Sequence, residues 1–211
     1  MKLYGSLTSP YVRKIRILLK EKSIDCEFVV EKPGDPGTRF PQLNPLAKVP
    51  VLELDDEQAL FDSPVICEYL DCESEGQLIP TSGEARWDVL RWHALADGII
   101  DSVVAIFLEN QRPEQSRLDE AIEKQQKKVV SALNMVNSAV KAKAVDFLVG
   151  NDFTMADLAI GVALEYVDFR YPHDWRNQLP ELAFWLASIS ARPAFRETVP
   201  PGMENPTRPR H

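Results

Sequence analysis

The chain has 211 residues, 45% of them hydrophobic, enough for one large core or two small ones. Its 24 Lys and Arg against 32 Asp and Glu leave a net charge of -8, which argues against the concentrated basic surface that nucleic-acid binding needs. No run nears the roughly 18 consecutive apolar residues that would span a bilayer, so neither nucleic acid nor a membrane is expected as a partner.

Met1-Lys2-Leu3-Tyr4-Gly5 reads as a first strand, with no apolar signal core ahead of it. Pro10 to Lys22 follows as a helix, with Val12, Ile15, Leu18 and Leu19 at helical spacing. "CEFVVE" is a second strand, and "KPGDPG" a Pro/Gly-rich connection. "VPVLEL" and "QALFD" form two strands joined across Asp55-Asp56-Glu57, a hairpin signal. The helix "SPVICEYLDC" ends this half. The order βαβ then ββα predicts a four-stranded mixed sheet with an antiparallel pair, covered by helices, over residues 1–78.

After the linker "GQLIPTSGE" strands disappear, and residues 84–199 are expected to be an all-helical domain. Glu84 to Leu108 is apolar nearly all round, so it is buried on more than one side. What neighbouring segments leave uncovered is expected to meet a second copy of the chain. Glu114 to Val140 is amphipathic, with Leu118, Ile122, Val129, Leu133, Val136 and Val140 on one stripe. Two more helices are expected, Met155 to Phe169 and Leu182 to Ala191, and the first opens on a Thr154…Asp157 capping box. The Pro-rich residues 200–211 read as a loose tail. Cys26, Cys67 and Cys72 form no CxxC pair and no even set, which points to free thiols in a reducing cytoplasm.

"TSPYVRKIRILL", "NPLAKVPVL" at 44–52, "LFDSPVICEYL" at 60–70 and "GNDFTMADLAI" together resemble the soluble glutathione S-transferase family over most of the chain. The resemblance implies a thioredoxin-like N-terminal domain, an all-α C-terminal domain, glutathione as cosubstrate without a metal, a homodimer and a detoxifying reaction. The Ser-Pro start resembles the serine-type branch, most of all its compact bacterial members. Small thiol-disulfide proteins carry Cys-Pro-Tyr-Cys where this chain has Ser9-Pro10-Tyr11-Val12. The resemblance thus implies that glutathione supplies the sulfur and the protein the site that ionises it.

Each residue of that site has a structural reading beside the functional one. Ser9-Pro10 is a helix N-cap with proline at the first helical position; functionally, the Ser9 hydroxyl donates to the glutathione thiolate. A hydrogen bond to a charged group contributes about 1.5–3 kcal/mol and a helix terminus roughly 0.3–1. Together they can lower a thiol near 8.5 by about one to three units, to the reactive thiolate. Pro50 opens a strand; in the family the matching bond is cis and Val49 pairs its backbone with the cysteinyl unit as an added strand does. Lys48 is either a solvated lysine or the partner of the glycyl carboxylate. Ser63-Pro64 reads as a second N-cap, and such an end also takes an anion: the γ-glutamyl carboxylate at Ser63, with Asp62 near the ammonium.

Asp97 and Asp101 lie four apart on the long helix, with no His or Cys evident at ligand spacing. The resemblance implies that an acid there reaches the neighbouring subunit's glutathione. His93 and the four tryptophans read as packing residues, and Phe107, Tyr166 and Phe169 as an apolar pocket near Ser9 and Tyr11. The leading function is transfer of the glutathione thiolate to a hydrophobic electrophile, or its use on a peroxide. The alternative is a non-catalytic interaction or regulatory protein of transcription- or translation-associated type. A thiol-disulfide reductase would need a cysteine near position 9, and the nearest in sequence is Cys26.

Overall fold

The first apolar run, Lys2–Gly5 (β1), buries Leu3, Tyr4 and Gly5 and forms the hub of a sheet. It pairs in parallel with Glu27–Val30 (β2) and antiparallel with Val51–Glu53 (β3), which pairs antiparallel with Ala59–Leu60 (β4). The strand order is β2-β1-β3-β4, the expected mixed sheet. The computed structural model describes the chain except residues 32, 33, 35, 36, 144, 145, 172 and 204–211.

The β3–β4 turn forms as read. Leu54 N–H donates to Gln58 O at 2.8 Å, and the Asp56 carboxylate accepts from Gln58 N–H at 3.1 Å. Pro10–Glu21 (α1) and Ser63–Cys72 (α3) cover the sheet, and Val12, Ile15, Leu18, Ile66 and Leu70 are buried. Phe40–Leu43 (α2) is a helical turn that periodicity does not reveal, being a single turn containing Pro41. It seats Phe40 and Leu43 against Tyr4 and Val51. Lys22 and Asp71 form a buried ion pair at 2.7 Å, and Asp71 also accepts from Leu78 and Ile79 N–H, tying the end of α3 to the segment beyond it.

Contacts divide the chain into two compact units, the first being Met1–Thr81 with Pro193–Glu204 and the second containing Ser82–Arg192. The second is helical: Gly83–Asn110 (α4), Asp119–Lys143 (α5), Met155–Arg170 (α6), Trp175–Gln178 (α7) and Pro180–Ser190 (α8). Nearly every residue of α6 is buried, so it is the unit's core and packs most extensively on α4. Its capping box forms, with Asp157 accepting from Thr154 N–H at 2.8 Å and from Leu148 N–H at 2.7 Å. Pro193–Arg196 (α9) returns to the first unit, where Arg13 donates to Phe195 O at 3.3 Å.

Four expectations need correction. Residues 114–116 form a 3-10 turn and α5 begins at Asp119, so Leu118 precedes the apolar stripe and is 61% exposed. Trp92, Trp175 and Trp185 are buried as packing residues, but Trp87 is 68% exposed on α4. The tail does not loosen at Pro200: Met203 is buried and donates its N–H to Pro200 O; the rest of the expected tail, 204–211, lies outside the described residues. His93 is buried as expected, yet its Nε2 lies 3.5 Å from Asp97, one turn on, so a histidine does stand beside the acid pair.

Candidate active site

The sheet register decides where the candidate residues lie. Tyr4 pairs with Val51 and Gly5 with Val30, while Leu52 pairs with Leu60. The chain leaving β1, the chain entering β3 and the chain leaving β4 therefore meet at one end of the sheet. Those three segments contain Ser9, Lys48-Val49-Pro50 and Asp62-Ser63. Cys26 precedes β2, whose Glu27 pairs with Lys2, so it sits at the opposite end. Burial pushes its thiol up. This position rules it out as a sulfur partner for Ser9.

Ser9 is the N-cap of α1, with extended backbone (φ -76, ψ 125). Its Oγ accepts from Val12 N–H at 3.4 Å and its carbonyl from Arg13 N–H at 3.0 Å. Because the Oγ acts there as acceptor, its O–H is left to donate elsewhere. The turn before it is held by Ser6, whose Oγ and carbonyl accept from Thr8 and Ser9 N–H at 3.3 and 3.2 Å. Gly5 allows β1 to run this close to α1: a Cβ there would lie 2.4 Å from Val12 Cγ2.

The Val49–Pro50 bond is cis. Lys48 is exposed, Val49 half-buried and Pro50 buried. The loop is set by Asn44, a buried residue that sequence reasoning passed over. Its side-chain amide donates to Lys48 O at 3.0 Å and accepts from Leu46 N–H at 2.9 Å. The Asn-Pro pair was its only signal. A second unforeseen group braces the same sheet: Tyr4 donates to Glu53 at 2.8 Å and Arg39 pairs with Glu53 at 2.9 Å. The Tyr4 hydroxyl, with Arg39 adding, holds Glu53 below the usual carboxylate range against the effect of burial.

At α3 the cap lies one residue earlier than read. Asp62 is the N-cap, with no side-chain capping bond, and Ser63 and Pro64 occupy the first two helical positions. Asp62 is exposed and Ser63 buried, so a carboxylate on the exposed residue stands beside a hydroxyl at the helix end. The helix end itself favours an anion. Among the described residues no group of His, Cys, Asp and Glu is placed to hold a metal ion, and Cys26, Cys67 and Cys72 are thiols not joined in disulfides.

Residues 3–77 match the model of the glutathione S-transferase N-terminal domain, and residues 119–188 that of its C-terminal domain. The chain belongs to the glutathione S-transferase family. The GST-like protein YibF of Escherichia coli K12 is 34% identical over 95% of this chain and 99% of that protein. A solved glutathione S-transferase of Methylobacillus flagellatus, with glutathione bound, is 41% identical at TM-score 0.90, covering 94% of this chain and 98% of that one. A Pseudomonas fluorescens family member, solved with S-(propanoic acid)-glutathione, is 36% identical at TM-score 0.84 over 95% and 100% of the two chains.

Within the helical unit Phe107 and Phe169 share a charged neighbour that was not foreseen, and Tyr166 packs on Phe169. The Arg170 guanidinium lies over Phe107 at 4.5 Å and Phe169 at 4.0 Å. Nothing in the local sequence signals it, because Phe107 comes from a different helix. No helix among the described residues is long and apolar enough to cross a membrane.

Proposed function

We propose that this chain is a serine-type glutathione transferase in which Ser9 stabilises the cosubstrate thiolate. The observation that carries the reading is the convergence of Ser9, Val49-Pro50 and Asp62-Ser63 at one end of the sheet, in a chain of this family. Glutathione supplies the sulfur nucleophile. Ser9 donates its O–H to that sulfur while its oxygen caps α1. Val49 pairs its backbone with the cysteinyl unit, and Lys48 meets the glycyl carboxylate. Ser63 and the first turn of α3 take the γ-glutamyl carboxylate, and Asp62 takes the ammonium.

With an aryl halide the thiolate sulfur forms the new bond to the ring carbon and halide leaves with the electron pair. No base is required of Ser9, since the thiol is already ionised. Peroxide reduction by the same thiolate is a secondary activity of this reading. The Methylobacillus neighbour, solved with glutathione, and the Pseudomonas one, solved with S-(propanoic acid)-glutathione, support glutathione as the cosubstrate.

The working form is a homodimer built on α4. Trp87, Ala94, Gly98 and Leu108 are exposed along that helix beside Arg91 and Asp101, a largely apolar face of the kind that marks a partner surface. Asp101 on the same exposed face is then the acid that reaches the partner's glutathione. Cysteines that are not joined in disulfides suit a cytoplasmic protein.

Spectroscopic titration of bound glutathione, with initial rates on aryl halides, enals and hydroperoxides, tests the reading. A lowered thiol pKa with turnover supports it. A lowered pKa without turnover on any of the panel would favour the regulatory alternative.

A further inference from the structure

Arg170 closes α6 among aromatic side chains. Its guanidinium is stacked on Phe169, beside it in sequence, and on Phe107 of α4. Tyr166 stands one turn back on the same helix, and the Tyr166 and Phe169 rings pack 6.5 Å apart. Yet Arg170 Nε is buried with no hydrogen-bond partner among the described residues. Neither of the two acids nearest on the helix bonds Arg170 Nε. Asp168 accepts from Arg176 at 2.6 Å and from the Trp175 indole at 2.8 Å. Glu165 accepts from the Ser190 hydroxyl at 2.7 Å.

Ring faces attract a cation and fix its plane, but they accept none of its in-plane N–H groups. A buried N–H without an acceptor costs free energy, so its retention calls for an explanation. A planar five-donor fork fits a carboxylate edge-on, where an ammonium would not. The phenol beside it is a donor: burial raises Tyr166 above its ordinary value, which keeps the hydroxyl protonated at neutral pH.

We propose that Arg170, Tyr166, Phe107 and Phe169 form a site for a flat carboxylate, aryl or conjugated, with the anion on Arg170 and Tyr166 and the hydrocarbon against the two rings. This rests on the reading of the chain as a transferase whose helical unit takes the acceptor. It narrows that acceptor from a neutral hydrophobic electrophile to one that carries an anion.

Calorimetric titration of the full chain, without glutathione, with 4-chloro-3-nitrobenzoate and separately with its uncharged amide tests the site directly. The carboxylate should bind about 10- to 100-fold more tightly than the amide, with the preference shrinking as salt is raised. In Arg170→Gln the two should bind alike, Arg170→Lys should recover part of the preference, and the amide should bind all three proteins equally. Equal binding of both compounds by the wild type, or binding of neither, overturns the proposal. So does a preference that survives in folded Arg170→Gln. A lowered melting temperature with no change in preference assigns Arg170 to packing alone. A parallel glutathione titration of the same sample reports separately on the transferase reading.

Discussion

Tyr4 of β1 faces Val51 of β3, and that pairing sets the segment leading to Ser9 beside the segment that carries Val49. The Leu52–Leu60 pairing brings Asp62 and Ser63 to the same end. A one-residue slip in either ladder would turn alternate side chains to the wrong face and separate the segments. The site is thus a consequence of register, and of the contacts that hold register.

Gly5 is one such contact. Its missing Cβ leaves room for Val12, which is fully buried and β-branched, so its methyl groups have nowhere to move. Gly5→Ala should destabilise the protein by about 1–3 kcal/mol, read as a lower denaturant midpoint. Adding Val12→Ala should restore part of the tolerance for the new methyl. A Gly5→Ala variant with wild-type stability would contradict this account of the β1–α1 approach.

Glu53 makes stability depend on pH in the acid range. Its folded pKa lies below the unfolded value of about 4.3, first because Tyr4 donates to it and then because Arg39 stands beside it. The sign follows: the contribution is fully present above the unfolded value and is lost as pH falls through the folded one. Wild type should melt above Glu53→Gln at neutral pH, and the gap should close as pH falls below the unfolded carboxyl value of about 4.3. Tyr4→Phe should cost about 1–2 kcal/mol at neutral pH. A gap that widens on acidification would be inconsistent with a depressed carboxyl.

Ser9 has two roles that one substitution separates. Ser9→Ala should raise the pKa of bound glutathione by about 1–2 units, the equivalent of one charge-assisted hydrogen bond. Affinity for glutathione should change little. Ultraviolet titration of the thiolate band measures the first and calorimetry the second. An unshifted pKa would leave Ser9 as a helix cap only.

The α4 face makes a claim about assembly. A Cβ at Gly98 would meet nothing within 4 Å, so the protomer has room for a side chain there. Gly98→Arg should therefore leave each protomer folded, yet raise the dimer dissociation constant about tenfold or more, because it forces a long charged side chain into the closest part of the contact. Asp101→Lys should weaken glutathione binding without unfolding the protein. Sedimentation showing a wild-type monomer at micromolar concentration would remove the dimer and the cross-subunit role of Asp101 together.

The sheet and the Ser9 cap could be read from sequence because alternation, Ser-Pro and the Asp-Asp-Glu turn are local signals with local causes. The α3 cap was displaced by one residue because Ser-Pro fits a cap with proline at the first position as well as a first turn with proline at the second. Leu118 matched a helical stripe by spacing, but the 3-10 turn at 114–116 precedes α5 and leaves it outside the helix. Arg170, Asn44 and the Tyr4–Glu53–Arg39 group depend on partners distant in sequence or on loop geometry. No periodicity announces such contacts.

Calorimetric titration of glutathione into the full chain and into Ser63→Ala tests the central claim most directly. The account predicts one glutathione per chain, bound about 10- to 100-fold more weakly by the variant, since removing the hydroxyl strips a charge-assisted partner worth roughly 1.5–3 kcal/mol from the γ-glutamyl carboxylate. No binding by the wild type, or an unchanged affinity in folded Ser63→Ala, would contradict it.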